Sequence, residues 1–252
     1  MRYTIRALLV LACVAGEPAS SIAASPSVVE LFTSQGCNSC PPADALLGEL
    51  ARRPEVIPLA FHVDYWDGPT WRDRFAIPEA ARRQASYVAT LGLSTSFTPQ
   101  AIVDGRESLV GLDRRLATEA APPQHAGQRP EIPIELRLQE SNLLASLPAT
   151  ASRGTVDVNL VTYLSAASTS VRGGENGGRK LDEFNIVRSI RRLASWDGTA
   201  RTLTVALSEL PRDADHAVVL IQQPGPGLIL AAAAIPIRQV PVASPRESEV
   251  GP

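Results

Sequence analysis

The sequence predicts an α/β N-terminal domain with a mixed sheet, followed by an all-β C-terminal domain that is antiparallel and sandwich-like. Three observations carry this. Between Ser27 and Ala120, short apolar runs alternate with amphipathic helical stretches. Ala121-Pro122-Pro123-Gln124-His125-Ala126-Gly127-Gln128-Arg129-Pro130 then interrupts the pattern, because proline at that density cannot continue a helix. Beyond it the apolar period changes to two, as on strands with one buried face.

In chain order, Val28 to Phe32 reads as a strand. Ala43, Leu46, Leu47, Leu50 and Ala51 repeat at helical spacing, with Asp44, Glu49, Arg52 and Arg53 on the other face. Val56 to Val63 is a second strand. Trp71 to Leu91 carries helical pattern interrupted at Pro78. Ala101-Ile102-Val103, then Asp104-Gly105, then Ser108-Leu109-Val110 reads as a hairpin, since Asp-Gly suits a two-residue turn with positive φ. A short helix over 113–120 closes this unit, 25–121, and 122–130 is the linker. In the β-rich region, 131–240, the alternating sets are Ile132/Ile134/Leu136/Leu138, Val156/Val158/Leu160 and Leu203/Val205/Leu207. Asn176-Gly177-Gly178 and Pro224-Gly225-Pro226-Gly227 read as loop tips, and 241–252 as a disordered tail.

The balance of 24 Lys plus Arg against 26 Asp plus Glu leaves no basic field for nucleic acid. Arg2 and Arg6 precede the apolar run Ala7 to Ala15, and small neutral residues follow to Ala24; this reads as a signal peptide over 1–24, with a weaker alternative of acylation at Cys13. The run is too short to span a bilayer, so no membrane association is expected after cleavage. The expected location is periplasmic or secreted. Of the three cysteines, cleavage removes Cys13 and leaves Cys37 and Cys40 as a lone pair in an oxidising compartment.

That pair lies in Phe32-Thr33-Ser34-Gln35-Gly36-Cys37-Asn38-Ser39-Cys40-Pro41-Pro42. A Cys-x-x-Cys between a buried strand and a helix places thiols near a helix N-terminus, where free N–H groups stabilise a thiolate. Cys37 is then the nucleophile and Cys40 the resolving thiol. Pro41 and Pro42 shift the helix start toward Cys40, which weakens that effect on Cys37. Three readings stay open: a redox-active couple exchanging disulfides with a protein or small-molecule thiol substrate, a structural disulfide in a non-enzymatic binding module, and copper or zinc handling by Cys37, Cys40 and His62. The first two need no cofactor.

His62 and Asp64 alternate to one face at the C-terminal end of the second strand, as candidates for proton transfer or metal binding, or as a capped strand end. Tyr65, Trp66 and Trp71 either line a substrate groove or pack the following loop. The Gly173 to Lys180 segment lacks the ending of a phosphate loop and reads as a mobile hairpin tip. Arg188, Arg191 and Arg192 read as a solvated basic face. His125 and His216 lack a second ligand at metal-binding spacing. Nothing in the sequence specifies an oligomeric state.

On these residues the chain resembles the thioredoxin superfamily over Ser27 to Ala120. More narrowly, the segment from Glu30 to Asp44 is similar to an uncharacterised family of secreted thioredoxin-like proteins, a domain of unknown function. His62-Val63-Asp64-Tyr65-Trp66-Asp67, Phe97-Thr98-Pro99-Gln100 and Glu175-Asn176-Gly177-Gly178-Arg179 resemble its further motifs. The resemblance implies a thioredoxin-like N-terminal domain and a cis Pro99 that faces the cysteines and, with Thr98, presents backbone to an extended substrate; Tyr65 and Trp66 are the candidate substrate-binding side chains beside it. The sequence departs from a working thioredoxin at Gly36, where tryptophan is usual, and at Leu31, where a buried aspartate assists proton transfer. Glu30, its neighbour, points to the opposite face in a regular strand.

Overall fold

A computed structural model describes residues 25–111, 132–151 and 154–238. The expected signal peptide, the helix over 113–120, the linker over 122–130 and the C-terminal tail lie outside the described residues. The elements are β1 (Ser27–Thr33), α1 (Pro41–Leu50), β2 (Val56–His62), α2 (Pro78–Thr90), β3 (Gln100–Val103), β4 (Glu107–Val110), β5 (Glu135–Gln139), β6 (Asn142–Leu147), β7 (Val156–Ser170), β8 (Lys180–Trp196), β9 (Arg201–Ala206), β10 (His216–Gln222) and β11 (Ile229–Pro236). One turn of 3-10 helix covers Leu207–Glu209.

This arrangement corrects the predicted fold class. An α/β thioredoxin-like domain followed by a separate all-β domain is not what forms. One eight-stranded mixed sheet, in the order β11-β10-β7-β8-β2-β1-β3-β4, runs through both halves of the chain, with only two helices among the described residues. A second sheet of three strands, β5-β6-β9, packs on it. The physical cause lies in β2, whose seven residues are all buried. A strand apolar on both faces wants neighbours on both edges. β1 takes one edge in parallel, and β8 of the long β7–β8 hairpin takes the other.

The β2–β8 junction is irregular for a readable reason. Pro58 sits within β2 and has no N–H for a ladder. Only the pair Ala60 and Ile186 is in register. Asn185, with φ of 47°, donates its side-chain amide to the Pro58 carbonyl at 2.8 Å, so that acceptor is met without a ladder bond.

Side chains alternate across β1, so its two faces serve two cores. Val29 and Leu31 pack with Ala43, Leu47 and Leu50 of α1. Val28 and Phe32 pack with Phe61, with Tyr87 of α2, and with Val161 and Val218 from the C-terminal half. The three-stranded sheet closes a third cluster through Leu143, Leu147 and Val205 over Val158, Leu160 and Val219. Glu30 is fully buried on the α2 side, where Arg83 Nε donates to it at 2.7 Å and the Tyr87 hydroxyl also bonds it. That network ties α2 to β10 through Gln222.

One local expectation is refined and another holds. The helical pattern from Trp71 becomes a helix only at Pro78, because Asp73 within that stretch turns its carboxylate to the backbone N–H groups of Gln35 and Phe75. At the β3–β4 hairpin Asp104 and Gly105 both take positive φ, 49° and 69°, as the Asp-Gly turn requires.

Candidate functional site

β1 ends at Thr33, and the chain turns through residues 34–40 before α1. The Cys37 amide donates to the Ser34 carbonyl at 3.1 Å, and the Cys40 amide to that of Cys37 at 3.2 Å. Cys37 and Cys40 form a disulfide with Cα atoms 5.4 Å apart. They are 1% and 0% exposed, whereas Asn38 and Ser39 between them are exposed. α1 starts at Pro41 with Cys40 as its N-cap, so the helix terminus addresses Cys40 more directly than Cys37. Cys37 Sγ instead has the Ser39 hydroxyl at 3.3 Å.

Around the disulfide stand residues from three other parts of the chain. The Thr98-Pro99 bond is cis and Pro99 is buried. Its Cβ, Leu31 Cδ1 and Ala43 Cβ crowd the α-carbon of Gly111, which places Pro99 beside the first turn of α1. Trp66, 39% exposed, donates its indole N–H to the Thr98 hydroxyl at 2.7 Å. A Cβ at position 36 would meet Trp66 Cβ at 3.0 Å, so the loop tryptophan lies over Gly36 and that position stays small. Tyr65 is 49% exposed and donates to Gln84 at 3.2 Å. Asp64 is exposed.

Behind the disulfide lies a buried ionisable cluster that sequence reasoning reached only through His62. His62 turns away from solvent, and its Nδ1 sits 2.7 Å from Asp73 Oδ2. Asp73 also accepts the backbone N–H groups of Gln35 and Phe75, at 2.8 and 2.9 Å. Glu183 of β8 accepts from Gln35 Nε2 at 2.8 Å and from the Thr169 hydroxyl at 2.8 Å. Its Oε1 lies 4.0 Å from His62 Nε2. Asp44, in the first turn of α1, is buried, and its Oδ1 has no hydrogen-bond partner among the described residues.

Burial and charge pull these groups in opposite directions. Burial pushes the Asp44 carboxyl up to about 7, against the pull of protonated His62. Burial works against a charged His62, but the Asp73 carboxylate and its hydrogen bond, with Glu183 and Asp44, push it up to about 9. Burial raises Asp73, while His62 and the two backbone donors hold it below the usual carboxylate range. Glu183 is raised by burial. The interior beneath the disulfide therefore holds a His62–Asp73 ion pair beside a carboxyl, Asp44, that is poised to gain or lose a proton near neutrality. Among the described residues no group of three or more His, Cys, Asp or Glu is arranged to hold a metal ion.

The remaining wall comes from the C-terminal half. Asn176, at the turn between β7 and β8, is fully buried and donates its amide to the carbonyls of Gln35 and Cys37, at 3.0 and 2.9 Å. Arg179 holds its Oδ1 at 2.7 Å, and Glu175 accepts the Asn38 N–H at 3.2 Å. A Cβ on Gly173 would lie 2.2 Å from the Thr70 carbonyl oxygen, so this tip also docks on the loop that carries Trp66. Asp73 and Glu183 carry no signal that sequence reasoning could use; Gln35 and Asp44 stand in the resembled Glu30–Asp44 segment and Asn176 in the resembled Glu175–Arg179 motif, but nothing along the chain says that these segments meet.

Residues 28–222 match a family described as protein of unknown function (DUF1223). The crystal structure of Protein AGR_C_4864 from Agrobacterium tumefaciens is similar, with a TM-score of 0.75 at 30% identity over 86% of this chain and 96% of that one. HBP35 of Porphyromonas gingivalis has a TM-score of 0.59 at 15% identity, over 88% and 81% of the two chains, which is a likeness of fold alone. No curated protein matches the chain in sequence.

Proposed function

The chain belongs to the DUF1223 family of proteins of unknown function, and from that premise we propose that its Cys37–Cys40 pair performs thiol–disulfide exchange on an exported substrate. The observation that carries this reading is the surroundings of the Cys37–Cys40 loop: exposed Trp66 lying over Gly36 with its indole on Thr98, Pro99 near the first turn of α1, and the buried Asp44 carboxyl in that turn. A merely structural bond needs none of these.

In the reducing direction the Cys37 thiolate attacks one sulfur of a substrate disulfide. A mixed disulfide forms and one substrate thiolate leaves. Cys40, as thiolate, then attacks Cys37 Sγ, the second substrate thiolate departs, and the protein's own pair is oxidised. The oxidising direction is the reverse, with a substrate dithiol attacking the Cys37–Cys40 bond. Asp44 lies one helical turn beyond Cys40, and with its carboxyl near 7 it accepts the Cys40 proton at neutral pH and returns it. Thr98 and Pro99, with Trp66 and Tyr65, form the face on which an extended substrate segment rests. The export read from residues 1–24 belongs to the same proposal, because such a couple cycles where disulfides persist.

The near-complete burial of both cysteines favours a second reading, a disulfide staple in a binding module. The equilibrium reduction potential separates the two. A value in the range of known exchange proteins, about -120 to -270 mV, with mixed disulfides trapped through Cys37 in Cys40→Ser, is the expected outcome. A potential below about -300 mV with no trapped adducts sinks the exchange reading.

A further inference from the structure

We propose that the tip of the β7–β8 hairpin sets the redox poise of the Cys37–Cys40 pair, with Asn176 as the positioning residue and the Glu175 carboxylate as the charge that opposes a Cys37 thiolate. The inference deepens the exchange reading and rests on it for its biological meaning, though not for its test.

The geometry is built rather than incidental. Asn176 is fully buried and donates its side-chain amide to two carbonyls of the cysteine loop, that of Gln35 two residues before Cys37 and that of Cys37 itself. Its oxygen is held by Arg179, and the backbone of the tip is closed by Gly177 N–H to Gly174 O at 3.1 Å and Gly178 N–H to Val171 O at 2.8 Å. The tip therefore arrives in one register, and that register brings Glu175 to the Asn38 N–H, the first amide after Cys37. In the stretch between a Cys-x-x-Cys and its helix, backbone N–H groups are what stabilise a thiolate. Glu175 occupies one of these with a full negative charge. Reduction of the disulfide by two equivalents of thiol yields one external disulfide and two protein thiols, and ionisation of Cys37 then places a second negative charge beside the first. Like charges at short range disfavour the newer one.

Other charged groups around the loop do not substitute for Glu175. Asp73 reaches Gln35 from the loop before α2 but is paired with His62 of β2. Asp44 of α1 and Glu183 of β8 lie beneath the loop. Arg179 is engaged with Asn176, and the Ser39 hydroxyl at Cys37 Sγ is the neutral donor that favours the thiolate. Asp64 and Asp67 are exposed on the loop after β2.

The test uses the full chain carrying Glu175→Gln, which keeps an acceptor for the Asn38 N–H and removes the charge, and Glu175→Ala, which removes both. Two quantities are read: the pH midpoint of Cys37 alkylation in the reduced protein, and the reduction potential in a dithiothreitol redox buffer above that midpoint. Both variants are expected to lower the midpoint by about half a unit, and to raise the potential by about 15 mV, the equivalent of a threefold change in the two-electron equilibrium. The difference from the parent should shrink in about 1 M salt, where the screening length is near 3 Å. An unchanged midpoint in Glu175→Gln, a shift seen only in Glu175→Ala, or a shift insensitive to salt overturns the proposal. Turnover of a model disulfide, measured alongside, reports separately on the exchange reading. A protein that turns nothing over but still shows the two shifts loses only that reading.

Discussion

Asp44 concentrates the electrostatics of the site in one side chain. Burial holds its carboxyl near 7, well above the ordinary 3.8, so the folded protein binds a proton there that the unfolded chain releases. Its contribution to stability is therefore complete below about pH 4 and falls as pH rises to about 7. His62 is also raised, to about 9, and its contribution is present below about 6.5 and lost as pH climbs through 9. Asp73 has the opposite sign, because its held-down carboxyl stabilises above the ordinary range and loses that contribution on acidification. Asp44→Asn is expected to flatten the fall between pH 4 and 7 and to raise stability at pH 8 by a few kcal/mol, read from urea midpoints at pH 5 and 8. Equal slopes in the two proteins would show that Asp44 is not the titrating group. Asn176 makes a different residue-scale prediction. Truncation to Ala withdraws the amide from the buried carbonyls of Gln35 and Cys37 and leaves Arg179 without its partner. A loss of about 2 kcal/mol is expected by denaturant unfolding, since an unmet buried carbonyl is more costly than a hydrogen bond is stabilising.

At the scale of elements, α1 and β8 meet at Gly48. A Cβ there would come within 2.5 Å of the Phe184 ring and 3.0 Å of its Cγ, so the ring as a whole would have to move. Glycine inside a helix costs about 1 kcal/mol relative to alanine, which on propensity alone makes Gly48→Ala stabilising. Overpacking costs typically about 1 to 3 kcal/mol and here outweighs the gain. We expect Gly48→Ala to lower stability by about 1 kcal/mol, and a raised melting temperature would disprove the contact. Elements were legible where their signals were local. The strands at Val28 and Val56, the helix after Pro41 and the Asp104-Gly105 hairpin all follow from periodicity and turn chemistry within a few residues. The stretch from Trp71 to Ile77 was not legible. Its helical pattern is overridden by Asp73, whose carboxylate gathers His62, Gln35 and Phe75 and holds the segment as a loop.

The molecule as a whole is organised by β8. It inserts beside β2, and the core containing Phe32, Phe61 and Tyr87 draws Val161 and Val218 from the other half of the chain. A fragment of residues 25–121 would expose one edge of β2 and that shared core, so we expect it to show no cooperative thermal transition, whereas the full chain does. A sharp transition in the fragment would restore two independent units. The cysteine pair, its place between a strand and a helix, the change of apolar period near residue 130 and the resembled motifs at Thr98-Pro99 and Asn176 were all readable from the sequence, because each depends on neighbours along the chain. That the two halves share one sheet, that His62 faces Asp73, that Asp44 and Glu183 gather beneath the disulfide and that Asn176 clamps Cys37 were decided by tertiary structure alone. These contacts join residues up to 148 positions apart. A linear pattern records which face of a strand is apolar, but not which distant edge that strand will pair with.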